Sequence, residues 1–108
     1  MTRLPSPIYL GEFKPKYHGD VVDEFINIAN DLSVADEEIE SVTFEVALWS
    51  NQDEPIAGVV PEAGVTVSAK RVDFQINAPA TAGDYVLTAV FTINDGQKIT
   101  KQAKFAVS

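Results

Sequence analysis

From Ala82 to Val107 the chain alternates apolar and polar positions with the two-residue period of a pleated strand. Tyr85, Leu87, Ala89, Phe91 and Ile93 share one face, and Val86, Thr88, Val90 and Thr92 take the other. Nearly all are β-branched, aromatic or aliphatic, as suits a strand with neighbours on both edges. Asn94-Asp95-Gly96 then supplies the residues that tolerate positive φ in a tight turn. The returning run places Ile99, Ala103, Phe105 and Val107 on one face and Gln102 and Lys104 on the other, while Lys101 breaks the pattern. The segment predicts a C-terminal β-hairpin.

The same period recurs upstream. Val21–Ile28 carries Val22, Ile26 and Ile28 in one phase and Phe25 in the other, with Glu24 interrupting the apolar phase. Ser41–Ser50 sets Val42, Phe44, Val46 and Leu48 against Ser41, Thr43, Glu45 and Ala47, and puts Trp49 in the polar phase. Arg71–Asn77 has Val72, Phe74 and Ile76 inward. Ile56–Val60 and Val65–Ser68 read as short strands around the turn composition Pro61-Glu62-Ala63-Gly64. Ser33–Glu40 reads as a short helical turn, with Ser33 or Asp36 as N-cap and Ile39 inward.

Residues 1–18 form an extended, proline-containing arm ahead of a domain spanning 19–108. Pro5, Pro7 and Pro15 oppose a helix or a central strand. Leu4, Ile8, Tyr9, Leu10 and Phe13 nevertheless make the arm too apolar to be a solvated tail. It lies over either the domain's own first sheet edge or a partner, and Tyr9–Phe13 is placed to form a short first strand. Leu4, Ile8, Tyr9, Leu10, Phe13 and Trp49 are therefore the candidate partner-binding residues. Trp49 has two readings, an interface aromatic or a ring packed over its own next loop, Asn51–Pro55.

About seven short strands spaced by roughly ten residues, with no long amphipathic helix, indicate an all-β fold: an antiparallel sandwich of two sheets. The Gly83-Asp84-Tyr85 run adds a local sign. Tyr85 stands two residues before inward Leu87, the spacing of the tyrosine corner in immunoglobulin-like domains. On that reading Leu87 and Ile26 replace the inter-sheet disulfide of antibody domains, and Phe44 replaces the strand-C tryptophan.

Composition narrows the function. A chain of 108 residues suffices for one core. It has no run of roughly 18 apolar residues that would span a membrane, and its first residues lack the apolar stretch of a secretory signal. Without cysteine there is no disulfide frame and no thiolate metal site. A net charge of −8 disfavours nucleic acid, whose binding needs clustered Lys and Arg. The charge is also segregated: Asp20 to Glu62 holds twelve acids and neither Lys nor Arg. This is either a solvated acidic surface or one half of a two-signed surface on which partners meet.

Candidate chemistry is sparse. Asp36, Glu37, Glu38 and Glu40 lack the glycine-pivoted loop of an EF-hand and read as exposed acids, not metal ligands. His18 is the single histidine, in a polar loop without a Cys or an embedded Ser to work with. No glycine-rich phosphate loop occurs. The expectation is a protein that is not an enzyme and needs no cofactor.

Several runs together carry a family resemblance: Gly19-Asp-Val-Val-Asp with Asn27-Ile28 and Leu32, Asp36-(x)2-Ile39-(x)2-Val42-Thr-Phe44, Val72-Asp-Phe-Gln-Ile76, Ala82-Gly-Asp-Tyr-Val-Leu-Thr88 and Phe91-Thr-Ile-Asn-Asp-Gly-Gln-Lys98. From Gly19 to Val107 the chain resembles the small immunoglobulin-like virion proteins of tailed bacteriophages, the fiber–tail adaptors. It departs from them at Phe44, where tryptophan is common, and at Ile28, where an aromatic is frequent.

The resemblance implies a non-enzymatic part of a virus particle, made in the host bacterial cytoplasm and present in multiple copies. Its partners would be other virion structural proteins of the tail, connector or fiber, with the arm wrapped onto a neighbour. The alternative is a decoration domain or a glycan-binding surface module, for which Trp49 near Tyr9 or Tyr17 supplies the aromatic set.

Overall fold

The computed structural model describes residues 8–32 and 36–108, with strand Ile8–Glu12 described by its backbone alone. Seven strands follow in order: β1 (Ile8–Glu12), β2 (Val21–Asn27), β3 (Ile39–Leu48), β4 (Thr66–Ser68), β5 (Arg71–Asn77), β6 (Gly83–Ile93) and β7 (Lys98–Val107). They form two sheets, one in the order β1-β7-β6-β3 and the other β2-β5-β4. This is an immunoglobulin-like β-sandwich, with β2, β5 and β4 facing β3, β6 and β7.

β6 is the central strand of the larger sheet, paired antiparallel with β3 on one side and β7 on the other. The hairpin pairs Phe91 with Ile99, Leu87 with Ala103 and Tyr85 with Phe105, so the expected inward residues of both arms fall opposite one another. Its turn closes with Gly96 at φ +94°, a conformation that glycine adopts without steric cost. Asn94 does more than turn the chain. Its side-chain amide donates to the Asp36 carbonyl (3.0 Å) and its oxygen accepts from the Glu38 N–H (3.3 Å), tying the turn to the segment before β3.

Ile26, Ile28, Val72, Phe74, Ile76, Tyr85, Leu87, Phe91, Ile93 and Phe105 lie buried in one cluster between the sheets. Phe74 of β5 stands at the meeting of three parts of the chain. Its ring lies 4.6 Å from Phe44 of β3 and 6.3 Å, edge-on, from Phe13. Phe44 thus occupies the expected inter-sheet position, though only half-buried.

Tyr85 forms the expected corner: its ring is buried and its hydroxyl donates to the Thr81 carbonyl at 2.5 Å. Tyr85→Phe should cost about 1 kcal/mol, since it leaves that carbonyl without its protein donor while keeping the ring. A lowered urea midpoint with an unchanged slope is the expected result; an unchanged midpoint would show that the bond contributes nothing.

Three expectations need correction. The sheets are not wholly antiparallel, because β1 runs parallel to β7. It follows no hairpin, so nothing forces it to reverse direction against that strand. Ile56–Val60 is not a strand: Ile56 donates one backbone bond to Val46 at 2.7 Å, and the chain then turns through Gly58. Four apolar residues split by Gly58 are too few to choose between strand and packed loop. The described part of Ser33–Glu40 holds no helix; β3 begins at Ile39, and a 3-10 turn lies earlier, at Ala29–Asp31. Ser33 itself lies outside the described residues.

Candidate interaction surface

The sandwich has two long sides, and the sequence finishes them differently. On the β7–β2 side two lysines reach across. Lys16 Nζ lies 2.8 Å from Glu24 of β2 and donates to the Lys14 carbonyl at 3.0 Å. Its ammonium also sits 5.7 Å from the centre of the Phe13 ring and 5.8 Å from that of Phe105. Lys101 of β7 pairs with Asp31 at 2.5 Å. Both lysines are buried, and each is charge-compensated by a carboxylate, the condition under which a buried ammonium is tolerated. Glu24 and Lys101, the residues that interrupt the apolar phases of β2 and the hairpin, are therefore halves of two ion pairs that reach across the sandwich.

The β3–β4 side has no such closure. β4 is only three residues long, all exposed. Val42 and Phe44 on β3 stay half-buried above a hollow of about 400 Å³, lined also by Thr43, Val60, Glu62 and Val65. Glu38, Glu40 and Glu45 are exposed nearby. The β3 half of this flank belongs to the stretch without Lys or Arg.

The candidate partner-binding residues are not gathered into one patch. Leu4 lies outside the described residues. Ile8 and Tyr9 occupy register positions opposite Lys101 and Gln102, on β1 together with Leu10, so this part of the arm is the sheet's own edge strand. Phe13 packs against the core. Trp49 follows directly after β3 at the opposite edge, 42% exposed, with the Lys104 ammonium 4.9 Å from its ring centre. Its carbonyl accepts from Gln52 at 3.3 Å, which ties the following loop to its backbone.

Of the aromatic set of a glycan site, Tyr17 and Trp49 stand apart. Lys16 bridges to Val107 at the β1 edge of the sheet, so Tyr17 follows three strands away from Trp49, roughly 14 Å at the usual strand spacing. A hollow of about 320 Å³ between Glu45, Asp53, Thr88 and Gln102 lies on the outer face of the larger sheet. Gln102 spends its amide N–H on Thr88 (3.0 Å).

On the smaller sheet's outer face Phe25 is exposed, with the Arg71 guanidinium 4.0 Å above it. Arg71 is also held by Asp73 at 2.8 Å, and this hydrogen bond raises its pKa further. His18 is exposed; its backbone N–H and its ring Nδ1 both meet the Ser108 carbonyl, at 3.0 and 3.1 Å.

The acidic run resolves into separate jobs. Glu37 is buried and accepts from the Gln97 side-chain amide, which also bonds Asp95. Asp95 has its pKa lowered, chiefly by the Gln97 backbone N–H. Among the described residues no three His, Asp or Glu side chains converge as metal ligands, and no helix is long and apolar enough to cross a membrane.

No protein-family model matches the sequence, and no curated protein does. Among solved structures the chain is similar to the Vibrionaceae Photobacterium sp. JT-ISH-224 2,6-sialyltransferase, in its complex with the donor product CMP and the acceptor substrate lactose. The TM-score is 0.50, at 12% identity over 94% of this chain. It spans 18% of that enzyme's chain, and at this identity the likeness concerns the fold alone.

Proposed function

We propose that this protein is a non-enzymatic assembly component, a joint between larger bodies, and more specifically an adaptor of a tailed-phage particle that links tail or baseplate to fiber or neighbouring virion proteins. The observation that carries this reading is the unequal finish of the two sides. The core between the sheets is filled by side chains, and the hollows of about 400 and 320 Å³ lie on the flank and on the outer face. One flank is stapled by buried ion pairs, and the other keeps apolar residues half-exposed within an acidic surround. Such a flank suits contact with another protein. The resemblance over Gly19 to Val107 supplies the phage context.

The test is composition. Particles purified by density gradient from the producing cells should contain the protein in multiple copies, and its absence would overturn the reading. The arm is tested separately. Because Ile8–Glu12 is a strand of the larger sheet, the truncation must stop at residue 7 to leave the fold intact. The shortened protein should melt like the full chain yet be depleted from particles at least tenfold. Normal incorporation would remove the arm from the joint.

A further inference from the structure

The edge of β3 carries a more specific assignment, which rests on the assembly reading. Along β3 the odd-numbered positions direct their backbone groups at β6: Trp49, just past the strand's end, donates its N–H to the Asp84 carbonyl at 2.9 Å, and in the same phase Ser41, Thr43 and Glu45 stand opposite Thr92, Val90 and Thr88. The even-numbered positions therefore direct theirs away from the sheet. At the far end this free edge is closed, since the Val46 carbonyl takes the Ile56 N–H at 2.7 Å. At the near end, beyond the register shift between Ile39 and Ser41, Ile39 N–H donates to the Ala69 carbonyl at 2.8 Å. Between these two clamps lie Val42 and Phe44. No other described loop bonds their edge-facing backbone groups.

An open strand edge is a template for another strand, and folded proteins ordinarily blunt it. Here it borders the hollow of about 400 Å³ lined by Val42, Phe44, Val60 and Val65. A strand laid against β3 would alternate, sending one set of side chains toward that hollow and the other toward the outer face beside Glu45. The charges then decide which strand fits. Glu40 and Glu45 are exposed on β3 and Glu62 lines the hollow, with no Lys or Arg from Asp20 to Glu62. Two copies joined β3 to β3 would bring these acids together, and like charges on paired strands repel. A strand bearing Lys or Arg between apolar residues meets both demands.

We propose that the β3 edge between Val42 and Phe44 is completed by an extended strand of a partner protein, alternating apolar residues with Lys or Arg, added to the sheet through its main chain.

Amide hydrogen exchange on the full chain tests this with a short capped peptide alternating lysine and valine. Exchange of the Val42 and Phe44 N–H groups should slow at least tenfold with this peptide. A twin alternating glutamate and valine should leave it unchanged. Glu40→Lys/Glu45→Lys, which alters only exposed positions, should abolish the effect of the lysine peptide. Val42→Pro, which removes one edge N–H without touching the β6 ladder, should do the same.

Unchanged exchange with the lysine peptide, or equal slowing by both peptides, would overturn the assignment. So would protection without peptide that grows with protein concentration, which would make the occupant a second copy. The two readings fail separately. Particles that contain the protein and incorporate the charge-reversed variant normally would sink the edge assignment alone. Absence from particles with the peptide effect intact would sink the phage adaptor alone.

Discussion

Phe74→Ala is expected to destabilise the protein by about 3–5 kcal/mol, the usual range for removing a buried phenylalanine. The upper half of that range applies because two other parts of the chain pack on the ring. Phe44 brings the larger sheet against it at 4.6 Å, and Phe13 covers it edge-on at 6.3 Å. Truncation leaves a cavity between two sheets whose spacing is fixed elsewhere by Leu87, Phe91 and Phe105, so collapse can fill little of it.

A domain of this size has about 5–15 kcal/mol of stability in total. The variant should therefore unfold at much lower urea, with its slope unchanged. Phe25→Ala, at an exposed ring on the same sheet, is the control. It loses the Arg71 contact at 4.0 Å and should cost no more than about 1 kcal/mol. Equal losses in the two variants would mean that Phe74 does not organise the core.

Much of this core was legible from period alone. The alternation in Arg71–Asn77 and Tyr85–Ile93 names the buried residues of β5 and β6, because a strand with one buried face has no other way to hide its apolar set. Tyr85 was legible for a different reason, its spacing from Leu87. What the pattern could not carry was anything set by residues distant in the chain. Glu24 and Lys101 look like errors of phase until Lys16 and Asp31 are placed beside them. The β1–β7 pairing is likewise hidden, since a parallel partner has no hairpin turn to announce it. The arm's apolar residues point to burial without choosing between the protein's own edge and another molecule.

The interaction surface was half visible. The acid-only stretch from Asp20 to Glu62 stands out in the sequence, and so does the apolar phase of β3. That Val42 and Phe44 remain half-exposed depends on the shortness of β4 and on where the Ile56 and Ala69 bonds fall. Neither is written in local periodicity. Trp49 shows the converse: its polar phase places it outside, as found, but its contact with Lys104 joins residues from strands not adjacent in the sheet.

The Lys101–Asp31 pair gives the second large expected effect, and its size depends on which partner is removed. Lys101 lies on the inward face of β7, opposite Ala89, whose small side chain leaves room for the lysine stem. The side chain is 5% exposed, against 21% for Asp31. Asp31→Asn therefore strands an ammonium inside the sandwich and should cost about 3–4 kcal/mol, within the range for breaking a buried pair. Lys101→Met keeps the apolar stem and leaves a carboxylate that water already reaches, so its cost should stay near 1–2 kcal/mol.

The double variant removes both charges and should be no worse than Lys101→Met alone, which makes the cycle strongly non-additive. Because the pair is sheltered, raising the salt from low to about 1 M should change these differences little, whereas an exposed pair would be screened. Urea melts of the four proteins decide it. Additive losses, or a Lys101→Met cost above that of Asp31→Asn, would mean that Lys101 is held by packing rather than by its partner's charge. The β7–β2 flank would then lack one of its two staples.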